Sequence, residues 1–307
     1  MLAAAVLVVL AHLMPGDPLA AILGERPTDA ATVEILRERY GVDRTPLQSL
    51  GDLANGALHG DLGLSLSAGR PVTDVIVERL GPTVLLGALT LLVDFTLGLA
   101  IGVWCALRPE TMRSRLIGAA SIAGYALPGF AVGMVLVWLF AVTLGWLPPG
   151  GFSNPLLDPN ASHMSVLLDR AEHLVLPLAT LVIATLPVTI RQQRSAALAT
   201  VNEPWVQAAR ARGVGAWAIA WRHCWRPALA PIVTLFGLWL PMLVSGAVFV
   251  ESVFAWPGIG SLIAEATMNR DVPLVIGAGI LFVVVVQLGA LVADTLHRFV
   301  DPAQRAS

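Results

Sequence analysis

Asp94 stands inside a long apolar run, Thr83–Leu107, with Thr90 and Thr96 as the nearest hydroxyl-bearing residues along the chain. A carboxylate at that depth in lipid is costly and is a functional candidate by default. Facing an aqueous path, it could meet a cationic group such as an amino terminus; facing a neighbouring helix, it could accept structural hydrogen bonds. The second concentration of polar chemistry is cationic. Glu203-Pro-Trp-Val-Gln-Ala-Ala-Arg-Ala-Arg-Gly213 continues through Arg222-His-Cys-Trp-Arg-Pro227 to Pro231, and such a loop suits either lipid phosphate or a protein partner. Catalytic patterns do not form around these groups. All 19 basic residues are arginine, so no lysine can serve a Walker A phosphate loop, a Schiff base or a lysine general base. There is no His-Glu-x-x-His, no Gly-x-Ser-x-Gly and no Cys/His cluster at metal-ligand spacing, and the six histidines are scattered. The chain is therefore read as non-enzymatic, with no metal site.

These groups must be positioned by helices in a bilayer. Hydrophobic residues make up 56% of the 307 and charged residues only 13%, outside the range of an ordinary soluble domain. Stretches long enough to cross a hydrocarbon core of roughly 30 Å, about 20 residues of helix, fall at Thr83–Leu107, Leu116–Leu147, Leu174–Ile190, Leu229–Val250 and Pro273–Ala293. Met1–Met14 is a shorter sixth, read as a transmembrane helix whose start is missing from this chain. Its rival, a signal-peptide core, lacks a basic lead-in and a small-residue cleavage site. The expected fold is an all-α polytopic membrane protein with about six transmembrane helices.

Arginine in the short loops orients the spans. Arg108, Arg113 and Arg115 follow the second span, Arg191, Arg194, Arg210, Arg212, Arg222 and Arg226 the fourth, and Arg298 and Arg305 the last, while the opposite short loops hold Arg170 and Arg270. Both termini are expected in the cytoplasm, and the segment between the first and second spans outside. Cys105 and Cys224 then fall at the cytoplasmic side, where a disulfide is not expected. Within the outer segment, Val33, Leu36 and Tyr40 define one face of a helix closed by Gly41, and Val72, Val75, Ile76 and Leu80 define one side of a helix at 71–80 that suits the membrane surface; for both helices, packing on the bundle is the plain reading and docking of a substrate receptor the other. Glu251 and Asp294 sit at span ends, where water or headgroups would reach them. Pro128, Pro177, Pro187 and Pro241 interrupt the helical ladders of three spans. Gating and plain packing are both open for them. Trp256-Pro-Gly258 with Gly260 reads as a tight outer turn.

Three stretches resemble the oligopeptide/dipeptide/nickel branch of ABC importer permeases, the DppB and OppB type. The first comprises Met14-Pro-Gly-Asp-Pro18, Leu36-Arg-Glu-Arg-Tyr-Gly-Val-Asp43 and His59-Gly-Asp-Leu-Gly-Leu-Ser65. The second is the arginine loop. The third is Val250-Glu-Ser-Val-Phe-Ala-Trp-Pro-Gly-Ile-Gly260 with Asn269-Arg-Asp-Val-Pro273 and the ending Asp301-Pro302. The resemblance implies a type I ABC importer permease fold. Its divisions are a first transmembrane helix at 1–14, an external segment at 15–78, the ABC type-1 transmembrane domain at 79–298 with a cytoplasmic coupling loop at 195–228, and a cytoplasmic tail at 299–307.

It further implies half of a translocation path for dipeptides or oligopeptides in a multi-pass bacterial plasma (inner) membrane protein. The partners would be a second, homologous DppC/OppC-like permease, two ABC ATPase subunits, an extracytoplasmic substrate-binding protein and membrane lipid, with no nucleic acid. This chain would carry no cofactor, since ATP and magnesium would be held by the ATPases. Coupling to them would fall to Gln207, Ala208, Ala209, Arg210, Arg212, Gly213 and His223. A stiff, short helix suits that task, for Gln207-Ala-Ala209 favours helix and close approach and Gly213 permits a sharp reversal. Gln207 departs from the glutamate of the general ABC permease pattern. Two other readings stand beside this one: a nickel or metal-chelate importer of the same family, and a secondary transporter using Asp94 as a proton or cation site.

Overall fold

A computed structural model describes residues 5–6, 8–9, 29–40, 45–219, 225–229, 232–237, 239 and 247–300. Among them the chain is helical apart from turns, connections and one isolated antiparallel bridge, Leu64 with Pro71, as the all-α expectation required. Three helices are long and apolar enough to cross a membrane, Val72–Leu107, His163–Val201 and Val272–Leu296, and the pair Met112–Ala126 and Gly129–Thr143 forms a further, bent candidate. Most of the span expected at 1–14 and part of the one expected at 229–250 lie outside the described residues, as do His223, Cys224, Pro241 and Asp301-Pro302.

Helices α1 (Ala30–Tyr40) and α2 (Pro46–Leu58) precede α3 (Val72–Leu107). The helix expected at 71–80 is the first part of α3, which runs unbroken through Pro82. Its apolar face follows the packed reading. Val72, Val75 and Ile76 are buried in protein, with Val72 and Ile76 against Gly277, whose absent Cβ would lie 2.5 Å from Val72 Cγ1. At 36 residues and 1.5 Å per residue, α3 is about 54 Å long and outruns a hydrocarbon core of roughly 30 Å.

The span expected at Leu116–Leu147 is broken at Pro128. Helix α4 (Met112–Ala126), capped by the Thr111 side chain, stops at Leu127, and α5 (Gly129–Leu136) begins after Pro128. Leu127 is extended, at φ −84° and ψ 128°, the conformation that the following ring favours. The two limbs meet at 101°, the second continuing into a π-helical turn over Val137–Thr143. Pro177 and Pro187, by contrast, lie inside a continuous α6 (His163–Val201). After α6 come α7 (Pro204–Ala211), two one-turn helices at Ala216–Ile219 and Trp225–Ala228, α8 (Val248–Val253), α9 (Ile259–Met268) and α10 (Val272–Val300).

The chain divides into two compact units. In the unit of residues 1–83 with 257–285, Asp271 is fully buried and organises two separated segments. Its Oδ2 accepts from Ser65 Oγ at 2.6 Å, Ser67 N at 2.9 Å and Ser67 Oγ at 2.7 Å, while Oδ1 accepts from Leu274 N at 3.2 Å and so caps α10. Thr83 Oγ1 accepts from Ile259 N at 2.8 Å near the start of α9.

In the unit of residues 84–256 with 286–307, α6 packs on α4, α5, α8 and the turn Trp225–Ala228. Leu86, Leu176, Leu181, Val250, Phe254 and Trp256 form its main apolar cluster. Gly150 and Gly151 close onto this cluster: Gly151 N donates to Phe254 O at 2.7 Å, and a Cβ on Gly150 would lie 2.4 Å from that oxygen. Glu251, expected to meet water or headgroups, is fully buried. It lies in α8, whose neighbours Val250, Phe254 and Trp256 belong to the apolar cluster. Asp294 is exposed on the chain.

Candidate functional site

The arginine-loop residues divide between a long helix and a short one. Residues 195–201, expected at the start of the loop, are the last turns of α6, because the run Ala196-Ala-Leu-Ala199 offers nothing to stop a helix. Asn202 and Glu203 make the corner, and Pro204 opens α7 at a position where its missing N–H costs nothing. Helix α7 ends at Ala211, and Gly213 adopts φ +81°. Val214 N donates to Ala209 O at 3.2 Å and Gly213 N to Arg210 O at 3.0 Å, so the left-handed glycine turns the chain back while satisfying carbonyls at the helix end.

Within α7, Val206 and Ala209 are buried, whereas Trp205, Gln207, Ala208, Arg210 and Arg212 are exposed. Val206 packs with Val201 and Ile219, supported by Leu107 and Val214. One face of α7 is thus fixed to the end of α6 and to α3, and the other presents two cations. Gln207 Nε2 donates to Val201 O at 3.0 Å. That bond satisfies a carbonyl from the last turn of α6, and a glutamate, having no donor when ionised, could not make it. Arg212 Nε donates to Ala208 O at 3.3 Å. His223 lies outside the described residues.

The other anticipated residue, Asp94, is fully buried. It pairs across to α6, where Thr185 Oγ1 donates to Asp94 Oδ2 at 2.5 Å. The nearby hydroxyls singled out in the sequence turn elsewhere, Thr90 to Leu86 O and Thr96 to Leu92 O. Two more turns of α3 and α6 meet in the same register. Beta carbons on Gly98 and Gly102 would lie 2.6 Å from Thr189 Cγ2 and 2.7 Å from Gln193 Cβ respectively. The two helices therefore run parallel in glycine-mediated contact, with Thr185, Thr189 and Gln193 on one α6 stripe. Asp94 Oδ1, Thr189 Oγ1 and both amide atoms of Gln193 have no hydrogen-bond partner among the described residues.

Gly98, Gly102, Thr189 and Gln193 were missed in the sequence. Their signals were present: Gly98-x-x-x-Gly102 is a small-residue pattern for close helix packing, and Thr185, Thr189 and Gln193 recur every fourth residue. No cluster of three His, Cys, Asp or Glu residues able to hold a metal occurs among the described residues.

Residues 98–306 match the family described as binding-protein-dependent transport system inner membrane component. The chain is also 33% identical to the glutathione transport system permease protein GsiC of Escherichia coli O6:H1, over 96% of this chain and 90% of that protein. It is 33% identical to the oligopeptide transport system permease protein AppB of Bacillus subtilis, over 94% of this chain and 89% of that protein.

Proposed function

The chain belongs to the binding-protein-dependent transport system inner membrane component family, and from that premise we propose that it is the peptide-conducting permease subunit of an ATP-driven importer. The observation that carries the substrate class is that both relatives, similar over nearly the whole chain, are named for peptides: glutathione for one and oligopeptides for the other. Among the described residues no metal-ligand cluster favours nickel. In this reading α7 is the coupling element. Its buried face, Val206 and Ala209, ties it to α6 and α3, and its exposed Arg210 and Arg212 meet an ATPase subunit. ATP and magnesium are held by the ATPases, and a second permease completes the path.

Uptake by the complete complex, reconstituted with its binding protein, tests the substrate class. Dipeptides, oligopeptides and glutathione are expected to compete with one another, and nickel chelates are expected not to. Competition by nickel chelates alone would refute the peptide reading, and transport by the isolated chain on a proton gradient alone would refute the importer reading.

The same proposal places the α7 end of the chain in the cytoplasm and the 59–71 and 148–162 segments outside. Cysteines introduced singly, in a background without Cys105 and Cys224, check this with an impermeant thiol reagent on intact cells. Ser65 is fully buried and unsuited to labelling, but Ala68, Asn160 and Ala199 are exposed. Positions 68 and 160 should react and position 199 should not. Reaction at 199 from outside would reverse the orientation.

A further inference from the structure

We infer that the α3–α6 seam is a joint that parts during transport, and that Asp94, Thr189 and Gln193 are transport residues wetted in the parted state. This inference rests on the importer reading and assigns it residues. The described conformation is closed at this seam. Asp94, Thr189 and Gln193 are all fully buried, yet Asp94 Oδ1, Thr189 Oγ1 and both Gln193 amide atoms lack hydrogen-bond partners among the described residues. Native interiors rarely leave such a concentration of buried polar atoms unmatched. A single packed state would be better served by apolar side chains of the same shape, since an unpaired buried polar group loses its hydration and gains nothing.

A second state that admits water removes the conflict. The stripe mixes the acceptor atom Asp94 Oδ1, a hydroxyl able to do both, and an amide carrying two donors and an acceptor. Water can satisfy all of them, whereas a bare cation cannot accept from the Gln193 amide. The spacing also fits. Successive stripe positions on α6 are four residues apart, about 6 Å along the axis, and one water hydrogen-bonded at about 2.8 Å on each side spans about 5.6 Å.

The contact is built to open and close. At Gly98 and Gly102 it is backbone against side chain with no interlocking Cβ on the α3 side, so a small shear of the packed helices need not draw an α3 side chain out of a hole on α6. Movement has a route to the seam. Gln193 lies two turns before the end of α6, and Val201, at that end, packs directly on Val206 of α7. A push on α7 therefore reaches α6 below the seam.

The experiment uses the complete complex and three variants. Thr189→Val and Gln193→Met replace the unmatched polar groups by apolar ones of similar size. Each is expected to raise the melting temperature of the complex by about 3 °C and to slow peptide uptake at least fivefold, because the closed seam is favoured and the wet one penalised. Higher stability with parental uptake would mean that the polar groups are idle, and lower stability would mean that they are already satisfied. Both results overturn the inference. Thr189→Cys, in a background without Cys105 and Cys224, is expected to react with a small water-soluble thiol reagent during ATP turnover and not at rest. No reaction in either condition also overturns it. A parent complex that takes up no peptide would instead refute the importer reading, and the labelling arm would still decide whether the seam parts.

Discussion

Gly213→Val is expected to cut substrate-stimulated ATP hydrolysis and peptide uptake about tenfold while leaving membrane insertion and subunit assembly intact. The residue has φ +81°, in the left-handed region, and no atom within 4 Å of the place where a Cβ would go. The cost of a side chain is therefore conformational alone. For an L-residue in this region it is roughly 1–2 kcal/mol, more for a β-branched one. Relaxing that strain requires Gly213 to leave φ +81°, which breaks the Val214 N to Ala209 O bond and swings α7 away from Ile219. Strain of about 1.4 kcal/mol felt only in the docked geometry equals a tenfold loss. Gly213→Asn should recover most of the activity, since asparagine tolerates the left-handed region, and Arg108→Ala, an exposed change outside the loop, should be mild. The measurement is ATPase stimulation by loaded binding protein, with co-purification of the ATPase subunits as the assembly check. A valine variant that assembles and transports like the parent would leave α7 an inert connector.

Local backbone chemistry is what made this element readable in advance. Gln207-Ala-Ala209 favours helix and Gly213 can take the reversal that others resist. These residues pointed to α7 without reference to the rest of the chain. Pro128 was legible as an interruption, but Pro177 and Pro187, read the same way, lie inside the continuous α6, so a proline alone does not decide where a helix stops. The run from 195 to 201 continues α6 as helix, since arginine density marks the polar side of a span and not the point where its helix stops. Likewise the apolar face of Val72, Val75 and Ile76 was legible, but lipid and protein are equally good partners for such a face. Only the presence of Gly277 opposite it decides.

Asp94 illustrates the limit for the candidate site. Its depth in an apolar run announced it, yet its partner Thr185 lies 91 residues away, and helix rotation, which hydropathy does not fix, decides whether Asp94 faces Thr185 or an aqueous path. Glu251 erred in the other direction. Its place near a span end suggested exposure, but the Gly150–Gly151 turn closes over the Phe254 end of α8. No periodicity within 248–253 carries that information.

Asp271→Ala is expected to lower the melting temperature of the complex by roughly 10 °C, the largest stability loss foreseen for a single side chain outside the apolar clusters. The two sequence stretches around Ser65 and Asp271 are 206 residues apart, and one carboxylate holds them together. Its Oδ2 takes three donors, Ser65 Oγ, Ser67 N and Ser67 Oγ, and its Oδ1 takes Leu274 N at the start of α10. Removing an N-cap costs about 0.5–2 kcal/mol, and each hydrogen bond to a charged group contributes about 1.5–3 kcal/mol, less when several share one acceptor. A combined loss of roughly 4 kcal/mol follows, because alanine also leaves the fully buried Ser65 hydroxyl without its acceptor. Asp271→Asn retains a capping carbonyl and one acceptor oxygen, so its loss should be less than half as large. Ser67→Ala, at an exposed position, removes a single donor and should be smaller still. The ordering Ala, then Asn, then the serine change is what a thermal melt of the detergent-solubilised complex should return. An alanine variant melting with the parent would show that the 63–72 turn and α10 are held by their apolar contacts, Val72 and Ile76 against Gly277, and not by the carboxylate.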